Sequence, residues 1–218
     1  MEQKGILERD TPVMNFVNTA AEVLFIGLLW LVFSAPVITL GPATAAAYYA
    51  MTKVVRKKRG TAGKEFLHSI KENLKHGILL TVLYGSVIAV IVFFVVSHER
   101  FAAVLGNSYI GILVMLVLPV GFTLPYVFPV LSRFDSGIGK TLQMAVIMSV
   151  SNPLRTLPLM LMTGLVCVLC ILLPFMLLIL PGFLLLFTSF LVEGVLVKWC
   201  RKKENVSENQ DDIPWYLE

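Results

Sequence analysis

Charge is scarce in this chain. Asp, Glu, Lys and Arg make up 15% of its 218 residues, where soluble domains carry about 25%. Cysteine is scarcer, and the three present (Cys167, Cys170 and Cys200) are too few to suggest a disulfide framework. Cys167 and Cys170 have CxxC spacing. They sit inside an apolar run without a histidine nearby, whereas redox or zinc chemistry needs a polar, accessible setting. The three histidines (His68, His76 and His98) fall at helix ends or in loops, and no HExxH or GxSxG pattern occurs. Gly139-Lys140-Thr141 looks like the end of a phosphate-binding loop, but Phe134 stands where its first glycine is required. These absences argue against an enzyme, and no cofactor or metal is expected.

Apolar sequence fills the space. The chain is 57% hydrophobic with a mean hydropathy of +0.81, and the excess is gathered into long runs. Runs of that length are what a hydrocarbon core of about 30 Å demands. The sequence therefore predicts an all-α integral membrane protein. Six transmembrane helices and two amphipathic helices lying in the interface are expected. A polar segment (residues 1–14) precedes one membrane domain (15–200), and a polar, acidic, flexible tail (201–218) follows it. The N-terminal segment lacks the positive start and small-residue cleavage site of a secretory signal, so the first span is expected to be retained.

The first span runs from Asn15 to Ala35, and Pro36 ends it, having no N–H to donate. Gly41-Pro42 restarts the chain as a helix with Pro at its first position. Ala43, Ala45, Ala46 and Ala47 then offer a small-residue face suited to close helix approach in a membrane. Pro36 to Tyr49 thus reads as a tight hairpin, with a second span from Pro42 to about Lys57 that is short for a crossing. In the basic stretch that follows, Phe66, Leu67, Ile70 and Leu74 share one helical face, opposite Lys64, Glu65, His68, Lys71, Glu72 and Lys75. The third span covers Gly77 to Ser97, and His98-Glu99-Arg100 reads as a loop. The fourth, Tyr109 to Ser132, is interrupted by Pro119, Pro125 and Pro129. The second interfacial helix lies between Arg133 and Arg155, with Ile138, Leu142, Ala145, Val146 and Val150 on its apolar side. Thr156 to Lys198 is too long for one crossing, so a turn between Pro174 and Gly182 divides it into two.

With six spans, alternate connections share a side. Seventeen of the 18 Lys and Arg then fall together, and Arg100 is alone on the other side. The positive-inside rule places both termini and both amphipathic segments in the cytoplasm. The sequon Asn205-Val206-Ser207 would consequently never meet a glycosylation machinery. Glu22 and Glu193 are the acidic residues well inside spans. Groups in such places snorkel or pair structurally, with a proton or cation site as the alternative reading, and Glu22 is expected to point into the bundle. Lys53, near the inner end of the second span, is the first candidate partner of Glu22.

Trp30 to Tyr49, WLVFSAPVITLGPATAAAYY, resembles the signature of the YesL-like family of bacterial membrane proteins. Phe66-Leu67-His68-Ser69-Ile70-Lys71-Glu72-Asn73 and Asn152-Pro153-Leu154-Arg155-Thr156-Leu157 also fit its pattern, and the likeness runs from Asn15 to Lys198. The family has no established activity, so no catalytic residue can be transferred. Its genes often lie beside enzymes of complex-carbohydrate degradation and sugar ABC importers. The resemblance therefore implies an accessory role in bacterial carbohydrate import or utilisation at the cytoplasmic membrane, with permease subunits or their ATPase as partners. A permease subunit or small transporter in its own right is the alternative. Its weakness is that Ser132 to Arg155 lacks the Glu-Ala-Ala start and fixed glycine of a permease coupling segment. The residues singled out are Glu22, Pro36, Thr39, Gly41, Pro42, Lys53 and Glu193.

Overall fold

The computed structural model describes residues 12–106, 108–134 and 137–204. Most of the polar N-terminal segment, nearly all of the acidic tail and the sequon lie outside the described residues. Among those described, every regular element is helical. The helices are α1 (Pro12–Ser34), α2 (Leu40–Ala50), α3 (Ala62–Val96), α4 (His98–Leu105), α5 (Ser108–Arg133), α6 (Ile138–Ser151), α7 (Pro153–Leu172) and α8 (Leu180–Glu204). Five of them, α1, α3, α5, α7 and α8, are long and apolar enough to cross a membrane. They also present large apolar side chains outward, among them Val32, Leu79, Phe93, Met115, Leu161 and Ile171. A chain that exposes such residues all round its bundle is built for lipid, and this is a multi-pass membrane protein.

The expected second span is the one not among the five. Leu40–Ala50 continues as a π-helix, Met51–Arg56, and the pair is enclosed by protein. Ala43, Ala45, Ala46, Ala47, Tyr48, Ala50 and Met51 are all fully buried. At about 1.5 Å per residue this helix is too short to present a full apolar girdle to lipid. It serves instead as the core around which the longer helices pack. Its alanines allow that, because small side chains let neighbouring backbones come near.

The hairpin before it forms nearly as the sequence predicts. The α1 helix stops at Ser34 and Pro36 is extended (φ −77°, ψ 103°). A 3-10 turn, Val37–Thr39, then leads into α2. The helix restarts at Leu40, two residues before the expected Pro42. The proline is still in the first turn, where its missing N–H has no partner to lose. Thr39 closes the turn, its hydroxyl donating to the carbonyls of Phe33 (2.5 Å) and Pro36 (2.7 Å).

The first interfacial helix is not a separate element. Residues 61–75 are the opening turns of α3, which runs unbroken for 35 residues into the expected third span. No glycine, proline or turn signal separates them except Gly77, which is helical and buried. Of the predicted apolar face, Phe66 and Ile70 are buried, while Leu67 and Leu74 are exposed. Phe66 meets Phe33 of α1 at 5.4 Å between ring centroids. Gly60 permits the entry to α3: its φ of +80° is one that side-chain-bearing residues rarely adopt. The expected loop at His98 is also helical (α4), with Phe101 stacked on Phe94 at 4.5 Å.

The second amphipathic helix is α6, with its inward face rotated from the expected one: Ala145 is buried and Ile138 and Leu142 pack against the core as expected, but the rest of the face differs. Thr141, Met144, Ala145, Met148 and Ser149 are buried, whereas Val146 and Val150 point out. It packs along the second half of α5. That contact selects the face bearing Met144 and Met148, whose flexible chains fill uneven gaps. The turn between the last two spans is a 3-10 segment, Pro174–Leu178. Beyond it α8 crosses α1 glycine on glycine: a β-carbon on Gly27 would lie 3.2 Å from the Gly182 Cα.

Candidate functional site

A buried charged cluster joins three helices. Glu193 of α8 accepts from the Arg133 guanidinium at the end of α5 (2.5 Å) and from the Tyr48 hydroxyl of α2 (3.0 Å). The ion-paired side chains are each 5% exposed, and Tyr48 is fully enclosed. A carboxylate in such a place needs both a counter-charge and hydrogen bonds to offset its lost hydration. Arg133 supplies the first and Tyr48 completes the second. Of the readings open for Glu193, the structure has it paired inside the bundle and not snorkelling, with partners the sequence did not point to. Arg133 reads as a loop charge at the end of a span, and Tyr48 as one aromatic among many. The available signal was that Arg133 closes an apolar run.

Glu22 is placed differently. Its carboxylate lies 3.7 Å from the Lys58 ammonium, which also donates to the Thr19 hydroxyl at 2.9 Å. Lys53 is therefore not its partner. The Lys53 ammonium binds Glu65 at 2.6 Å and the Tyr49 hydroxyl at 3.2 Å, tying the π-helical end of α2 to the start of α3. Chain direction explains the exchange. Because α2 runs antiparallel to α3, its last turn meets the first turn of α3, and the Lys58 loop is what returns to α1. The Glu22–Lys58 pair is much more open than Arg133–Glu193, with side chains 35% and 59% exposed.

Of the remaining singled-out residues, Pro36 and Thr39 close the turn from α1, and Gly41 and Pro42 build a close contact between α2 and α3. The Gly41 N–H donates to the Thr81 hydroxyl at 2.9 Å. A β-carbon on Gly41 would meet that hydroxyl and come within 2.6 Å of the Gly77 carbonyl oxygen. One on Gly77 would sit 2.6 Å from Pro42 Cγ. The nearest approach of the hairpin is thus to α3, while α1 is held by the Trp30 indole donating to Thr44 (3.0 Å). Gly77 and Thr81 were missed because nothing in their local sequence marks them as partners of Gly41.

Chemically the site can hold three helices in register. Among the described residues, no three His, Cys, Asp or Glu side chains gather as metal ligands. Cys167 is exposed on the outer face of α7.

Residues 23–95 match a family model described as "Protein of unknown function, DUF624". The stretch takes in α2 and nearly all of α3, together with Glu22's neighbours on α1. The chain is also 28% identical over 189 residues to the uncharacterized protein YesL of Bacillus subtilis (strain 168), covering 84% of this chain and 85% of that one. No solved structure matches it. With the hairpin motif built as a helix junction and likeness along most of both chains, the protein is similar to YesL over most of its length and resembles the DUF624 family through α2 and α3.

Proposed function

We propose that this protein is a non-enzymatic accessory subunit in bacterial carbohydrate import, docking ABC permease subunits through residues 61–75 and 137–151. In this reading the chain crosses the membrane six times, with α2 and its π-helical extension as the enclosed crossing, and both termini are cytoplasmic. The 17-to-1 division of basic residues supports that orientation. The observation that carries the docking role is the outer face of the first turns of α3. Lys64, Leu67, His68, Lys71, Leu74 and Lys75 are exposed there, although the same turns are anchored by Phe66 and Lys53–Glu65. A rigidly held surface of mixed apolar and basic character suits a protein partner. The carbohydrate context rests on the family resemblance.

A second reading, a transporter in its own right, is favoured by Arg133–Glu193, since ionisable pairs inside spans often mark transport pathways.

Purification from native membranes in mild detergent tests these readings. The first predicts co-purifying ABC permease subunits, lost in a Lys64→Glu, Lys71→Glu, Lys75→Glu variant whose Tm is unchanged. Capture of an ATPase without permease subunits supports the second. A protein that brings down neither contradicts docking.

A further inference from the structure

One stripe of α8 gathers cations from three separate parts of the chain. Phe190, Gly194 and Lys198 follow one another at intervals of four, so they share a helix face over roughly 12 Å. Arg56, the last residue of the π-helix that follows α2, sets its guanidinium 4.8 Å from the Phe190 ring centroid and donates to the Ser189 carbonyl at 2.5 Å. Arg155, from the first turn of α7, lies over Gly194: a β-carbon there would be 2.8 Å from its Nη1. Lys198 stands exposed one turn further on.

None of these three cations has a carboxylate within ion-pair distance among the described residues. The acid on this stretch of α8, Glu193, is already taken by Arg133 and Tyr48. The surroundings are apolar and open. Phe190 is 59% exposed, and Leu154 and Leu157, on either side of Arg155, are 87% and 49% exposed. Unpaired cations bordered by outward apolar side chains match one kind of molecule, with an anionic head and hydrocarbon tails.

We propose that Arg56, Arg155 and Lys198 form a binding site for an anionic phospholipid, the headgroup phosphate lying along the α8 stripe and the acyl chains against Phe190, Leu154 and Leu157. Arginine offers paired donors to phosphate oxygens, and lysine adds a mobile charge. Basic pockets between helices at the headgroup level bind such lipids for this reason. Gly194 gives Arg155 room to lie flat on α8 rather than stand away from it. The site is independent of any docking partner and of the direction in which the chain is inserted.

The test is thermal unfolding in nanodiscs of phosphatidylcholine, with and without phosphatidylglycerol. Ligand binding to the folded state should raise the Tm of the natural protein by about 3 °C or more. An Arg155→Gln, Lys198→Gln variant should match the natural protein in phosphatidylcholine alone but lose most of that rise. The charge-conserving Arg155→Lys, Lys198→Arg variant should retain it. No rise in the natural protein, or an undiminished rise in the Gln variant, overturns the proposal. An equal rise on adding inorganic phosphate to phosphatidylcholine discs also overturns it, because the site would then read a free anion and not a lipid.

Discussion

At the scale of single residues, burial separates charges that look alike in sequence. Glu22 and Glu193 both interrupt apolar runs, yet one is a half-open pair with a loop lysine and the other is sealed between three helices. Removing one partner of a sealed pair strands the other charge at a cost of about 3–5 kcal/mol, while replacing both with apolar groups of similar volume is often neutral. Glu193→Gln and Arg133→Met should therefore each lower Tm by roughly 10 °C, and the Arg133→Met, Glu193→Leu double variant should recover much of that loss. A double variant worse than either single one would show that the pair's own attraction governs stability. Tyr48→Phe removes one hydrogen bond to a charged group and should cost about 1.5–3 kcal/mol. Glu22→Gln, at an exposed pair, should change stability by less than about 1 kcal/mol. Unfolding of these variants in one detergent ranks them directly. Pairing was one of the readings the sequence left open for Glu193, beside snorkelling and a proton or cation site. Its partner was not legible: the Arg133–Glu193 contact spans 60 residues, and only the fold decides which helices meet.

At the scale of elements, the hairpin motif specifies a helix junction through glycine and proline rather than through any reactive group. Gly41, Pro42, Gly77 and Thr81 interlock, so added bulk has nowhere to go. Gly77→Leu and Gly41→Leu should reduce expression and Tm strongly. Gly85→Leu, at a helical glycine with open space around it, should be tolerated. Thr39→Ser keeps the hydroxyl that closes the turn and should also be mild. Comparable losses at Gly77 and Gly85 would mean that helix propensity, not close approach, explains the glycines. The helix boundaries around the hairpin were legible because proline and glycine act locally. The faces were less so. Val146 and Val150 are apolar enough to be buried, yet they point outward. In a membrane, apolar periodicity alone cannot tell a packed face from an outward one, and the face that packs is chosen by shape.

At the scale of the whole molecule, four of the five long apolar helices (α1, α3, α5 and α8) pack against the short, enclosed α2, α7 is held on α5 and α8, and the orientation of that bundle carries the proposed function. The sequence made the class of protein plain, since charge is excluded from most of its length. It could not reveal that the first amphipathic helix and the third span are one element. A helix that changes from amphipathic to apolar without a break looks, residue by residue, like two. The docking account requires that the start of α3 face the cytoplasm, with the α3–α5 connection on the opposite side. Labelling with a membrane-impermeant thiol reagent in intact cells, on single cysteines introduced after Cys167, Cys170 and Cys200 are replaced, measures this directly. Ser108→Cys should react from outside, and Gly60→Cys should react only after the cells are opened. Reaction of Gly60→Cys in intact cells would contradict the account.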